Sequence, residues 1–468
     1  MTAFYDALAR TADRTPNRVA VVDGERRLSY SELRTAVDGA AAGLRARGVG
    51  PGDVITSQLR NGIEAVTLCL AANAINAVHN PVTMSSRERE LDFIQRQAAT
   101  AVFVDDADDE LFQHPAAARP RLLPRDEPTF LVYTSGSTAD SKGVLHSDRT
   151  LGDECTAQAA YHELRDDEVF VIPSSLAHVS GLIYGVLLPV WLGATVVLMD
   201  EWDPGRFLEL VAAEHGTFSA GATPFLQGIT DHPLLERFDT SSFRVFPCGG
   251  ADVPPDLIRR AAQRLAIRTG RGYGSTEFPS ITSGAGPGED DNKRADTDGR
   301  PIGANEVRIV DAEIEARGRE LFVGYRDAQL DRDAFTDDGW FRTGDLGVVD
   351  DDGYLTVTGR LKDVIIRSGE KISARELEVA LAGHPAVDAV AVIAVPDPRT
   401  AERACACVVP RPNATVTVEE LGRFLLAAGF SKRKLPEQVA LLDALPTTAA
   451  GKIDKHALRA RLRAISTQ

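Results

Sequence analysis

The sequence lacks the features that mark membrane, secreted and nucleic-acid-binding chains. It has no apolar run long enough to span a bilayer. The most apolar stretch, residues 181–199, is interrupted by Gly185, Pro189 and Gly193 and reads as helix, turn and strand. The first residues, Met1-Thr2-Ala3-Phe4-Tyr5-Asp6, lack a basic segment followed by an apolar core, so no signal peptide is expected and the expected location is cytoplasmic. There are only five cysteines, Cys69, Cys155, Cys248, Cys405 and Cys407, and they have neither disulfide nor zinc spacing. Cys405 and Cys407 stand two apart in an alternating apolar run, which puts both on one face of a strand in a buried structural role. A basic surface is also lacking. The formal net charge of -16 argues against a nucleic-acid partner, but it leaves room for a phosphate ligand held by a few local donors.

What is present is an ordinary globular composition, with 43% hydrophobic and 26% charged residues. At 468 residues the chain is too long for one core, and two or three domains are expected. The first third alternates strand and helix signals. Val19–Asp23 and residues 101–105 read as buried strands. Ser29 and Glu32 form a capping-box pattern before the apolar stripe Leu33, Val37, Ala41 and Leu44, which Gly48 and Pro51 close. Such βα alternation argues for a layered α/β domain. Residues 115–128 read as a surface connection and 284–300 as a long polar loop. The end of the chain reads as a separate α+β unit. It has capping patterns at Ser373/Glu376 and Thr417/Glu420 and strand candidates at 387–395 and 438–442.

Five segments carry the residue types that phosphate and nucleotide chemistry needs. Leu131-Val132-Tyr133-Thr134-Ser135-Gly136-Ser137-Thr138-Ala139-Asp140-Ser141-Lys142-Gly143-Val144 is a strand running into hydroxyls, glycines and one lysine, a loop able to aim N–H groups and an ammonium at phosphate oxygens. It is not a Walker A loop, because Ser141 stands where the second glycine should be. Gly272-Tyr273-Gly274-Ser275-Thr276-Glu277 offers a flat ring for a base, a hydroxyl for a phosphate and a carboxylate for Mg²⁺. Phe341-Arg342-Thr343-Gly344-Asp345 and Gly359-Arg360-Leu361-Lys362-Asp363 each carry an aspartate of the kind that binds vicinal ribose hydroxyls. The fifth segment is the lysine-bearing turn Pro446-Thr447-Thr448-Ala449-Ala450-Gly451-Lys452. Taken alone, the Lys142 loop reads more often as a solvated turn, the Tyr273 segment as a turn with a core tyrosine and the Lys452 segment as a surface β-turn.

In this order, the five segments resemble the adenylate-forming superfamily of acyl-CoA synthetases, peptide-synthetase adenylation domains and beetle luciferases, from Phe4 to about Leu462. The resemblance implies a large N-terminal layered α/β domain, 1–359, and a hinge at 360–362. A small mobile C-terminal α+β lid, 363–468, would follow. It implies that Thr134, Ser135, Gly136, Ser137, Thr138 and Lys142 hold phosphates. Gly249, Gly250 and Ala251 would line the adenine, with Tyr273, Gly274 and Ser275 beside it, Tyr273 packing on the ring. Thr276 would meet the α-phosphate and Glu277 would hold Mg²⁺. Asp345 would take the ribose hydroxyls, with Arg360 nearby. Lys452 matches the lysine of the adenylation step, Lys362 the hinge position, and Gly369, Glu370 and Lys371 the pantetheine loop. Relatives usually carry Gly and Pro where this chain has Ala139 and Ser141, which implies a phosphate loop of altered shape.

By the same resemblance the acyl pocket draws on His178, Val179, Gly181, Tyr184, Ala222, Thr223, Pro224 and Cys248, with His178 gating the acyl and thiol channels. No aspartate lies between Ser174 and Pro189 to pair a substrate ammonium. The implied substrate is therefore a hydrophobic acid, medium-chain, alicyclic, aromatic or terpenoid, and not an amino acid. ATP, Mg²⁺ and coenzyme A are the implied co-substrates and cofactor. The readings that stay open are an acyl carrier protein as acceptor, a degenerate binding-only homologue, and a homodimer.

Overall fold

A computed structural model describes residues 3–106, 109–112, 114–115, 126–134, 141–367, 370–397, 399–447 and 453–466, with backbone alone at 3, 109, 370 and 463–466. The chain divides into two compact units. One comprises Met1–Val307, Ala316–Phe341 and Asp350–Leu355, and the other Arg308–Glu315, Arg342–Val349 and Thr356–Gln468. This division interleaves more finely than a single cut after residue 359.

The larger unit is built on parallel strands. One six-stranded sheet runs in the order Gly324–Tyr325, Gly143–Ser147, Pro128–Tyr133, Val78–Pro81, Val54–Gln58, Thr100–Asp105. Val54–Gln58 is parallel to both neighbours, while Gly143–Ser147 turns back antiparallel on Pro128–Tyr133. The helix Ile63–Ala74 is buried nearly all round, as its continuous apolar sequence requires. The helix Tyr30–Ala46 buries Leu33, Val37, Ala41 and Leu44, and the Ser29/Glu32 capping box forms as expected. A second set of strands runs parallel from Val169–Ile172 through a bridge at Phe218 to Val245–Gly249 and Arg268–Tyr273. Their carboxyl ends therefore open on one side, where ligands of parallel sheets gather. Residues 181–199 form the expected helix, turn and strand, with a π-helical turn at Ile183–Leu187 and left-handed Gly193 (φ +79°) before Thr195–Leu198.

Two expectations fail in this unit. Residues 101–105 form a strand but not a buried one, because Thr100–Asp105 lies at the sheet edge with only Val104 enclosed. Residues 284–300 are not a continuous loop, because Asp291–Asp296 is helical. Asp290 accepts from the N–H groups of Asn292 and Lys293 at 2.9 and 3.1 Å, and the Arg294 guanidinium donates to the Gly286 carbonyl at 2.8 Å. A cap and one buried cation thus fix a turn that a polar window does not announce.

The smaller unit holds a five-stranded sheet. Glu370–Ser373, Val364–Arg367, Ala401–Pro410 and Val387–Asp397 lie in that order, and Gln438–Leu441 pairs with Ala401–Pro410. Cys405 and Cys407 share one buried face with Ala391, Ile393 and Leu458, so their structural role holds. The Thr417/Glu420 capping box is complete. The one expected at Ser373/Glu376 is only half formed. Ser373 accepts from the Glu376 N–H at 3.3 Å, but the Glu376 carboxylate is drawn to the Lys434 ammonium at 2.7 Å and does not turn back to the cap. Among the described residues, no helix is long and apolar enough to cross a membrane.

Candidate active site

Three loops of the larger unit leave the carboxyl ends of its parallel strands. Residues 221–225 follow the Phe218 bridge, 249–252 follow Val245–Gly249, and 274–280 follow Arg268–Tyr273. Glycines let them approach. A Cβ on Gly249 would lie 2.6 Å from the Gly272 carbonyl oxygen, and one on Gly274 2.0 Å from that of Pro279. The strand Arg268–Tyr273 is anchored from below. Arg271, buried, donates to Asp298 through Nε at 3.1 Å and Nη2 at 2.8 Å, a paired charge that satisfies itself in the interior. Tyr273, Gly274, Ser275, Thr276 and Glu277 are all half-exposed, as are Gly249 and Ala251, whereas Gly250 is exposed with φ +77°.

The neck of the 134–142 loop is closed by three hydrogen bonds. The Thr134 N–H donates to the Lys142 carbonyl at 3.0 Å, the Lys142 N–H to Thr134 Oγ1 at 3.0 Å, and Ser141 Oγ to the Thr134 carbonyl at 2.7 Å. Ser141, the departure noted in the sequence, thus supplies a bond that proline lacks the hydroxyl to make. Ser135, Gly136, Ser137 and Thr138 lie outside the described residues.

Two side chains that the sequence reading passed over tie this neck to Thr276 and Glu277. Tyr325 donates its hydroxyl to Glu277 Oε1 at 2.7 Å, and the Lys142 ammonium rests 4.8 Å from the centre of the same ring. Burial, reinforced by the charge of Glu277, pushes the phenol well above its ordinary value and keeps it a donor. His146 is fully buried. Its Nε2 donates to the Thr276 carbonyl at 2.8 Å, which sets the tautomer, and burial lowers its pKa to about 4, so it is neutral. Neither residue stands in a recognisable string. The only signal was the position of His146 just after the lysine-bearing loop.

The candidate acyl segment starts at His178, which caps the short helix Val179–Leu182. His178, Val179, Tyr184, Ala222 and Thr223 are half-exposed, and Pro224 is exposed. Thr223 Oγ1 donates to the Asp252 carbonyl at 2.7 Å, joining two of the loops. Gly181 and Cys248 face inward instead. A Cβ on Gly181 would lie 1.9 Å from the Ser175 carbonyl oxygen, and Cys248 is 1% exposed with its thiol pushed up by burial to about 12.

Comparison with known proteins now bears on this geometry. The sequence profile described as AMP-binding enzyme matches residues 8–320, and that of the AMP-binding enzyme C-terminal domain matches 376–452. The chain belongs to the AMP-binding enzyme family. This AMP-binding enzyme is 31% identical to the medium-chain fatty-acid–CoA ligase of Escherichia coli K12, over 98% of this chain and 90% of that one. It is 34% identical to a feruloyl-CoA synthase of Amycolatopsis, over 97% of each. Among solved structures, ATP-bound MatB from Rhodopseudomonas palustris superposes with a TM-score of 0.89 at 25% identity, covering 98% of this chain and 99% of that one. The adenylate-forming fold is therefore shared, and the relatives are acyl-CoA synthetases.

In the smaller unit of the AMP-binding enzyme, Asp345 is buried and paired with Arg360 Nε at 2.8 Å. Thr343 Oγ1 accepts from the Asp345 N–H at 3.1 Å, and left-handed Gly344 (φ +71°) makes the bend that turns the aspartate. Lys362 lies exposed in the 3₁₀ turn Leu361–Asp363, and Lys371 is exposed. Gly369, the Glu370 side chain and Lys452 lie outside the described residues. On either side of Lys452, Thr447 bridges Ile453 and the Asp454 N–H donates to the Pro446 carbonyl at 2.8 Å.

Proposed function

We propose that the enzyme uses ATP to activate a hydrophobic carboxylic acid as its acyl-adenylate, releasing pyrophosphate, and then transfers the acyl group to coenzyme A. One observation supports this above others. Lys142 and Glu277, a cation and a carboxylate from separate motifs, converge on Tyr325 beside the carboxyl ends of the parallel strands. A carboxylate is a poor acyl donor because its charge repels nucleophiles and its leaving group is oxide. Attack on the α-phosphate converts it to a mixed anhydride, but two anions must first meet. The ammonium of Lys142 favours that meeting, as would N–H groups aimed at the phosphates.

Among the described residues, no group of three or more His, Cys, Asp or Glu could hold a metal ion. A lone carboxylate such as Glu277 nevertheless fits Mg²⁺, which takes its other ligands from water and substrate phosphates. Bound there, the ion would neutralise phosphate charge. In this reading Asp345 takes the ribose hydroxyls, Tyr273 the adenine and Lys452 the developing charge at the α-phosphate. The hinge at 360–362 lets the C-terminal lid, 363–468, serve the two half-reactions in turn. The acyl group is assigned to the half-exposed segment at His178, Val179 and Tyr184. The apolar character of this segment, together with relatives named for a medium-chain fatty acid and for ferulate, supports a hydrophobic substrate.

A panel of acids in a pyrophosphate-release assay tests the first step, and addition of coenzyme A or of a carrier protein tests the acceptor. Lys452→Ala is expected to lose acyl-adenylate formation by a factor on the order of a hundred or more, while still converting supplied acyl-adenylate to thioester. Equal loss of both half-reactions would contradict the role given to that lysine.

A further inference from the structure

Behind the 274–280 loop lies a buried polar cluster that the proposed chemistry does not use. Glu154, on the helix Asp148–His162, is fully buried. Its Oε1 accepts from Ser280 Oγ at 2.6 Å and from Gln158 Nε2 at 3.1 Å, whereas Oε2 has no hydrogen-bond partner among the described residues. Asn305 Nδ2 donates to the Ser280 carbonyl at 3.0 Å and also to the carboxylate of Glu320, and both residues are buried. Glu320 faces the same helix. A Cβ on Gly303, between them, would lie 3.1 Å from Ala157 Cβ and 3.4 Å from Glu320 Oε1. The Tyr184 hydroxyl, from the candidate acyl segment, also meets the Ser280 side chain.

Two buried carboxyls with no Lys, Arg or His paired to them among the described residues are a costly way to fill an interior. They sit where the helix, the acyl segment and the loop bearing Thr276 and Glu277 meet. We infer that Glu154 and Glu320, joined through Ser280 and Asn305, are positioning residues that hold the 273–280 segment in register for ATP. The inference rests on the adenylating role proposed above.

Burial pushes both carboxyls upward, and the charge of Glu154 further raises Glu320. The other titratable groups nearby are Cys155 and Tyr184 beside Glu154, and Asp153 beside Glu320. Asp153 is already neutralised by Arg319 at 3.0 Å and Arg149 at 3.9 Å. Near neutral pH the pair therefore retains protons. At alkaline pH both carboxyls become charged, and their repulsion acts between the helix and the loop.

The test is ATP affinity by isothermal titration calorimetry on the full chain with Mg²⁺, for wild type, Glu154→Gln, Glu320→Gln and Ser280→Ala. Wild type is expected to weaken on the order of tenfold from about pH 6.5 to about pH 9, and each Gln variant by about twofold or less. Ser280→Ala, which removes only a half-exposed hydroxyl, is expected to bind ATP more weakly at both pH values, and it serves as the test if a Gln variant fails to fold. Equal pH dependence in wild type and Glu154→Gln, or unchanged affinity in Ser280→Ala, overturns the inference. Absence of ATP binding in wild type overturns the adenylating role itself, a separate outcome.

Discussion

Tyr325 has little freedom of its own. It is 4% exposed, its N–H donates to Asp331 Oδ1 at 2.9 Å, and its ring packs 4.8 Å from that of Phe322. A side chain held this firmly can orient what it touches. Removing its hydroxyl in Tyr325→Phe keeps the ring under Lys142 but leaves Glu277 without that donor. Hydrogen bonds to charged groups contribute about 1.5–3 kcal/mol, so kcat/KM for ATP is expected to fall by roughly ten- to a hundredfold, with a higher Mg²⁺ requirement. Steady-state pyrophosphate release across a Mg²⁺ series checks this, and an unchanged Mg²⁺ requirement would remove Tyr325 from the site. Lys142 and Glu277 were legible because each lies within a short string of chemically telling neighbours. Tyr325 and His146 were not, because what marks them is contact across 48 and 130 positions respectively, which only the folded chain brings about.

At the scale of elements, local signals held where both partners were local. The capping boxes at Ser29/Glu32 and Thr417/Glu420 formed, each carboxylate turning back to its own cap. At Ser373 the same pattern lost its glutamate to Lys434, 58 positions away, and the helix Asp291–Asp296 arose from a cap and a buried arginine inside a polar window. The approach of Val245–Gly249 to Arg268–Tyr273 is likewise set by backbone contact. Gly249→Ala would drive a Cβ against the Gly272 carbonyl oxygen and prise the two strands apart. Overpacking of this kind costs about 1–3 kcal/mol, so a lower melting temperature and a raised KM for ATP are expected together. A stable variant with unaltered KM would show that the register of these strands does not reach the nucleotide.

For the molecule as a whole, buried titrating groups shape the response to acid. His79 and His162, depressed by burial to about 3, and His146, to about 4, stay neutral in the fold while the unfolded chain takes up protons below its value of 6.5. Their contribution to stability is therefore lost as pH falls from 6.5 towards 4. Glu154, Glu320 and Glu378, raised by burial above 4.5, act in the opposite sense. Their contribution is complete below 4.5 and is lost as pH rises through their folded values. The two sets oppose each other between pH 6.5 and 4.5. Below 4.5 only the histidines act, joined by depressed carboxylates such as Asp363, beside Lys455 and Arg459. Urea unfolding at a series of pH values is expected to give a shallow slope between about pH 4.5 and pH 6.5 and a steep one below it, each uncompensated proton contributing about 1.4 kcal/mol per pH unit. A uniform slope across that range would contradict the balance.

All five cysteines are enclosed, three of them in the larger unit and two in the smaller. The native protein therefore offers no sulfhydryl to an alkylating agent until one unit opens. Modification of Cys69, Cys155 or Cys248 records opening of the larger unit, and modification of Cys405 or Cys407 opening of the smaller. Without any engineered label, the chain carries a separate clock for the breathing of each half.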